Sequence, residues 1–199
     1  MSHSNLALHT KDYARRLAAA VEQLDDAALQ ELAQALQTCW AEGRQIFLAG
    51  NGGSAGNAIH IANDLIYGAG VNAGKGLKAV ALPANAAVTT CLANDLGYEK
   101  IFSEQLRVLA EPGDILIVLS GSGNSPNILK ALEQADTIGV KSFAILGYSG
   151  GKARDLADCA IHVPVDDMQI AEDMQLIIGH VLMQWLCANL GQTALQKTA

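Results

Sequence analysis

The chain has 199 residues, half of them hydrophobic, with 17% charged residues and a formal net charge of −7. That length supports one domain with a real core, and the composition excludes a disordered, collagenous or low-complexity chain. An acidic surface argues against a general nucleic-acid or anionic-membrane binder, though it leaves room for a local phosphate pocket. The four cysteines, Cys39, Cys91, Cys159 and Cys187, are widely spaced without a CxxC pair. That pattern suits intracellular thiols better than a disulfide framework or a structural zinc site. The N-terminal residues lack the apolar run of a signal peptide, and the most apolar stretch, Met174 to Leu190, is interrupted by Gln175, His180 and Gln184. It reads as a buried helix, and the chain as a cytoplasmic protein with no nucleic-acid or membrane partner.

Two helices are expected between Lys11 and Gly43. Leu17, Ala20, Val21 and Leu24 fall at helical spacing, Asp25-Asp26 offers a cap, and Leu29, Leu32, Ala33 and Leu36 repeat the pattern up to Glu42-Gly43. Five short aliphatic runs then read as buried strands: Gln45–Ala49, Lys78–Leu82, Ile115–Leu119, Ser142–Leu146 and Cys159–Val163. Helices are expected between and after them, at Ser54–Tyr67, Ala86–Asp95, Tyr98–Leu109, Pro126–Ile138, Lys152–Ala157 and Met168–Leu190. Strand and helix in alternation imply right-handed crossovers and a parallel sheet covered on both faces. The expectation is an α/β protein, a three-layer αβα sandwich with a five-stranded parallel sheet. The whole chain, 1–199, forms one domain, with residues 1–43 as an N-terminal helical extension used in packing against other subunits and 44–199 as the sandwich.

Ligands of such sheets lie beyond the carboxyl ends of the strands. Two loops there stand out. Gly50-Asn51-Gly52-Gly53-Ser54 follows the first strand, and its glycines let backbone N–H groups approach an anion at a helix N-terminus. The string fits G-x-G-x-x-A, but the second strand ends in Ala81-Leu82-Pro83 without the acid that a dinucleotide ribose requires. Ser120-Gly121-Ser122-Gly123-Asn124-Ser125 follows the third strand, and Pro126 opens the next helix. Hydroxyls and N–H groups converging there would hold a monoester phosphate without Lys or Arg.

Four polar residues on two helices complete the candidate set. His60 and Asp64 are four apart and share a helix face; Glu172 and His180 are eight apart and can point to one side. Two imidazoles and two carboxylates can form a divalent-metal site or an acid/base site, and each can also be an ordinary solvated or hydrogen-bonded helix residue. His180 stands among Leu176, Ile177, Ile178, Val181 and Leu182, so burial there would demand a partner. His162 reads as structural, and His3 and His9 as solvated.

The loop Gly50–Ser54 with His60, Ala93-Asn94-Asp95-Leu96-Gly97, the serine loop Ser120–Ser125 and the acidic, His-containing last helix follow in that order. Together they resemble the SIS (sugar isomerase) family, and within it the phosphoheptose isomerases, over nearly the whole chain. The resemblance implies the SIS fold and conversion of sedoheptulose 7-phosphate to glycero-manno-heptose 7-phosphate through a cis-enediol, for nucleotide-heptose and surface polysaccharide synthesis. It implies a divalent metal, zinc, held by His60, Asp64, Glu172 and His180, with Asp64 or Glu172 as base and His180 as acid. Asn51, Gly52, Gly53, Ser54, Asp64, Asn94, Asp95, Ser120, Gly121, Ser122, Ser125 and Glu172 would contact the sugar phosphate. It also implies a homotetramer with sites at subunit interfaces. Two positions depart from the family pattern: Asp64 stands where Glu is usual, and Glu172 where Gln is usual. The departures leave open a non-enzymatic regulator of this fold that binds a phosphosugar or the replication initiator, or an isomerase of another sugar phosphate.

Overall fold

A computed structural model describes residues 5–196, with the side chains of residues 5–190. Two helices lead, α1 (Leu6–Glu22) and α2 (Asp26–Glu42). Asp25 caps α2 by accepting from the N–H groups of Ala27 and Ala28, and Gly43 ends it in the left-handed conformation at φ 69°. There follow β1 (Gln45–Gly50), α3 (Gly53–Ile66), β2 (Lys78–Ala81), α4 (Ala86–Leu96), α5 (Ser103–Leu109), β3 (Ile115–Ser120), α6 (Pro126–Ile138), β4 (Lys141–Leu146), α7 (Ala153–Leu156), β5 (Cys159–His162) and α8 (Met168–Gln196). Every expected strand is present, its ends within one residue of the expectation. Two expected helices are shorter. Tyr98–Leu109 breaks into a 3-10 turn, Tyr98–Lys100, and α5, with Ile101 and Phe102 both driven into the core at the break, and Lys152–Ala157 is reduced to the single turn α7.

The sheet is parallel throughout, in the order β2-β1-β3-β4-β5. From β1 the chain moves outward to β2, then returns to place β3 on the other side of β1. The crevice between β1 and β3, at their carboxyl ends, is therefore the topological switch point. The two loops singled out by their glycines and serines are the ones that flank it.

Alternation along the strands divides the core. Ile46 and Leu48 face one layer with Leu32 and Leu36 of α2, Leu65 of α3 and Met174 and Ile178 of α8. Phe47 and Ala49 face the other, with Leu106 of α5 and Ile128, Ala131 and Leu132 of α6. The N-terminal helices also pack within this chain. Leu32 and Leu36 are completely buried, so α2 is part of the sandwich: α3 and α8 lie side by side and leave sheet surface for α2 to cover, down to Cys159 and Ile161 of β5. α1 packs Ala20 and Leu17 on the same core and docks on α8 through polar pairs as well. The Tyr13 hydroxyl donates to Asp173 at 2.5 Å, and Arg16 Nη1 donates to Asp167 at 2.6 Å. Asp167 also caps α8 by accepting from Gln169 and Ile170 N–H.

Candidate active site

α3 and α8 run parallel and in register. Gly53 at the start of α3 meets Glu172, Ile61 meets Gly179, and Gly68 beyond the end of α3 meets Met183. A glycine sets this register, because a Cβ on Gly179 would stand 2.7 Å from Ile61 Cγ1. The bare backbone admits the isoleucine and brings the helices close. A buried polar link reinforces the contact: Gln175, 1% exposed, donates to Ser54 Oγ at 3.1 Å and accepts from Asn57 Nδ2 at 2.9 Å.

In this register His60 and His180 meet. Their Nε2 atoms are 2.9 Å apart with the rings edge to face, and each Nε2 is 3.4 Å from Asp64 Oδ2. The three side chains aim one donor atom each at a common point, all within 4.8 Å of one another. Zinc bonds to imidazole and carboxylate of about 2.0–2.2 Å would place tetrahedral donors roughly 3.3–3.6 Å apart, which the two nitrogen–oxygen edges match and the 2.9 Å nitrogen–nitrogen edge falls short of. Two His and a carboxylate, leaving a position open for substrate, are a donor set of catalytic and not structural metal sites. Contrary to expectation, His180 is not deeply buried; its side chain is 45% exposed, and His60 49%. Ile178 and Leu182 beside it turn to the core while Val181 is exposed, and the imidazole lies on the rim with its partners.

Glu172 does not join this group. A Cβ on Gly53 would stand 2.4 Å from both Glu172 carboxylate oxygens, so the carboxylate lies flat against the first residue of α3. Gly53 is seven residues before His60, which is about 10 Å along a helix axis. Of the four expected ligands, three thus come together in this chain. Eight residues along α8 return a side chain near the same face but shift it about 12 Å along the axis, and the parallel register preserves that shift.

Among the expected substrate contacts, Asn51, Gly52, Gly53 and Ser54 form the turn into α3, with Gly52 at φ 56°, and no side chain caps that helix. The serine loop faces it. Ser120 Oγ accepts from Gly123 N–H and tightens the turn, Ser122 is exposed, and Ser125 opens α6 without a side-chain capping bond. Met168 of α8 packs on Gly121, so the start of α8 closes over this loop and brings Glu172 to the same mouth. Asn94 and Asp95 are exposed on α4, bonded to one another at 2.7 Å and joined by no described hydrogen bond to either loop. Their neighbour Tyr98 does reach the site, donating to Asn51 Oδ1 at 3.0 Å. Sequence reasoning missed Tyr98 and Asn127; the latter pairs with Asn51 from α6, and only its place two residues after the serine loop hinted at it. Of the remaining histidines, His162 faces the Tyr148 carbonyl at 2.9 Å, a structural bond; His9 is exposed on α1, and His3 lies outside the described residues.

A switch-point crevice between a glycine loop and a serine loop, with an imidazole–carboxylate cluster on the adjoining helices, defines an α/β domain with a candidate anion-binding site at the carboxyl ends of its strands. The family described as SIS domain matches residues 10–147, and the chain belongs to it. Phosphoheptose isomerase from Chlorobaculum parvum is 36% identical over 192 residues, which cover 95% of this chain and 91% of that protein. The structure of phosphoheptose isomerase GmhA from Neisseria gonorrhoeae superposes with a TM-score of 0.83 at 28% identity, covering 92% of this chain and 97% of that one. A phosphoheptose isomerase from Francisella tularensis gives 0.85 at 26% identity, with the same coverage of both chains. Within the SIS family, the chain groups with the phosphoheptose isomerases. Both kinds of comparison favour the isomerase expectation over the non-enzymatic one.

Proposed function

We propose that this chain is an aldose–ketose isomerase that converts sedoheptulose 7-phosphate to glycero-manno-heptose 7-phosphate, supplying nucleotide-heptose synthesis for surface polysaccharide. The observation that carries the reading is the convergence of His60, Asp64 and His180 on the paired helices α3 and α8, whose first turns adjoin the two loops. Ser122 and Ser125, with the uncapped start of α6, are placed to hold the phosphate, and the N–H groups at the start of α3 to hold sugar oxygens. The reacting carbons then lie toward the imidazoles.

Asp64 is the base. Its Oδ2 faces both imidazoles, and its Oδ1, which accepts a long 3.3 Å bond from Asn63, takes the proton from the carbon beside the carbonyl. His180 gives a proton to the carbonyl oxygen, and a cis-enediol results. Return of the proton to the former carbonyl carbon, while the hydroxyl on the carbon first deprotonated gives its proton back to His180, completes the aldose. His60, Asp64 and His180 would hold a divalent ion, which we assign as zinc and which when bound polarises the substrate oxygens. Glu172, beside Gly53, would contact the substrate near the two loops.

The same reading makes the protein a homotetramer with sites at subunit interfaces. α4 has no fully buried residue despite its apolar sequence, and beside it Val108 is 70% and Tyr98 56% exposed. A contiguous apolar surface of this kind needs a partner, and α4 carries Asn94 and Asp95, which another subunit would bring to a site. No described helix is long and apolar enough to cross a membrane, and all four cysteines are free, which suits the cytoplasm.

The decisive test is turnover of sedoheptulose 7-phosphate by the purified protein as isolated, after chelation and after zinc is restored. Heptose 7-phosphate formed, lost and regained in that order supports the reaction and the metal together. An absence of turnover in the zinc-loaded protein overturns the reading. Sedimentation should show tetramers, and monomers alone at micromolar concentration would contradict the assembly.

A further inference from the structure

The Asn127 side chain is 1% exposed, at the second position of α6. Its amide faces that of Asn51 reciprocally: Asn51 Nδ2 donates to Asn127 Oδ1 at 2.8 Å, and Asn127 Nδ2 donates to Asn51 Oδ1 at 2.7 Å. The Tyr98 hydroxyl fills the second lone pair of that Asn51 oxygen at 3.0 Å. An amide offers two acceptor sites and two N–H donors. Asn51 has therefore committed both acceptor sites and one donor inside the protein, and one N–H remains for a ligand.

The three residues come from three places: the loop after β1, the helix after the serine loop, and the turn after α4. We propose that Asn127 is a positioning residue, which through Asn51 fixes the Gly50–Gly53 turn relative to the Ser120–Ser125 turn. A ligand that touches both turns needs them at one fixed spacing, and a part-buried amide pair supplies that spacing before the ligand arrives. Tyr98 extends the same hold to α4. In this arrangement Asn51 serves the ligand through its backbone and its last N–H. The proposal rests on the sugar-phosphate reading for the identity of the ligand, but not for the coupling of the loops.

The test is a double-mutant cycle with Asn51→Ala, Asn127→Ala and the pair, read by kcat and KM for sedoheptulose 7-phosphate and by calorimetric affinity for inorganic phosphate. Asn127→Ala is expected to raise KM and weaken phosphate binding by about ten-fold, for the loss of two hydrogen bonds, with kcat changed by less than about three-fold. The double variant should bind no more weakly than Asn51→Ala, because both changes remove the same hold. Wild-type constants in Asn127→Ala, or effects that add in full, would overturn the proposal. A role in stability alone would lower the melting temperature and leave both constants unmoved, which also overturns it.

Should Asn127→Ala fail to fold, Tyr98→Phe, at an exposed position, decides instead: a shift of about two- to five-fold in the same direction supports the proposal, and wild-type constants overturn it. If the wild-type protein binds phosphate but turns over no heptose phosphate, the reaction reading fails while the phosphate affinities still judge the positioning role. A wild-type protein that binds neither overturns both.

Discussion

His60 and His180 are 120 residues apart in the chain, yet their Nε2 atoms stand 2.9 Å from one another, with one Asp64 oxygen 3.4 Å from each. At this distance one ring donates its Nε2–H to the other, or both nitrogens turn their lone pairs to a shared cation. Asp64 supplies the negative charge that favours either. The cluster therefore combines cation affinity with proton transfer in one small region of the surface.

This arrangement separates the roles of the carboxylates. Asp64→Asn should abolish zinc binding and lower turnover by about 10²–10⁴-fold, as should His180→Ala. Glu172→Gln should retain stoichiometric zinc and keep kcat within about ten-fold, with its main effect on KM. Metal analysis beside steady-state kinetics checks both. Zinc lost from Glu172→Gln, or turnover lost with zinc retained, would return the ligand or base role to Glu172. His180 is half-exposed and the Glu172 and Asp64 changes are isosteric, so melting temperatures should stay close to wild type.

Gly179 and Gly53 predict opposite consequences for the same change to alanine. At Gly179 the new Cβ meets the Ile61 side chain in the close helix contact, 2.7 Å from Cγ1. α8 must shift, which should destabilise the fold by about 1–3 kcal/mol and weaken zinc binding by moving His180 away from His60. At Gly53 the Cβ meets the far end of the Glu172 side chain, which can swing aside. Gly53→Ala should therefore melt near the wild-type temperature and raise KM. Thermal melts with zinc titration distinguish the two, and equal loss of stability would refute the contrast.

Docking of α1 is expected to depend on pH through Tyr13. Burial raises its pKa from 10.0 to about 12, aided by the hydrogen bond to Asp173 and the charges of Asp173 and Asp167, against the opposing charge of Arg16. The neutral phenol is the form that donates to Asp173. Because the folded pKa lies above the unfolded one, this stabilisation is complete below pH 10 and is lost as pH rises toward 12. Tyr13→Phe should be less stable by about 1 kcal/mol below that window and no less stable above it. Denaturation of both proteins across pH 10 to 12 measures the gap. A gap that stays constant through the window would exclude the phenol as its source.

Much of this protein is written locally. Strand runs such as Ile115–Ser120, the glycine and serine loops, the Asp25 cap and the shared face of His60 and Asp64 depend on residues close in sequence, whose spacing and turn chemistry are fixed by backbone geometry. The approach of His180 to His60, the removal of Glu172 to Gly53 and the Asn51–Asn127 pair depend on how separate elements pack. Residue spacing along α8 specifies the angle of a side chain around its own axis, but it carries no information about the register against α3. That register is set where Ile61 meets the bare backbone of Gly179, and with it the identity of the residues that meet in the site.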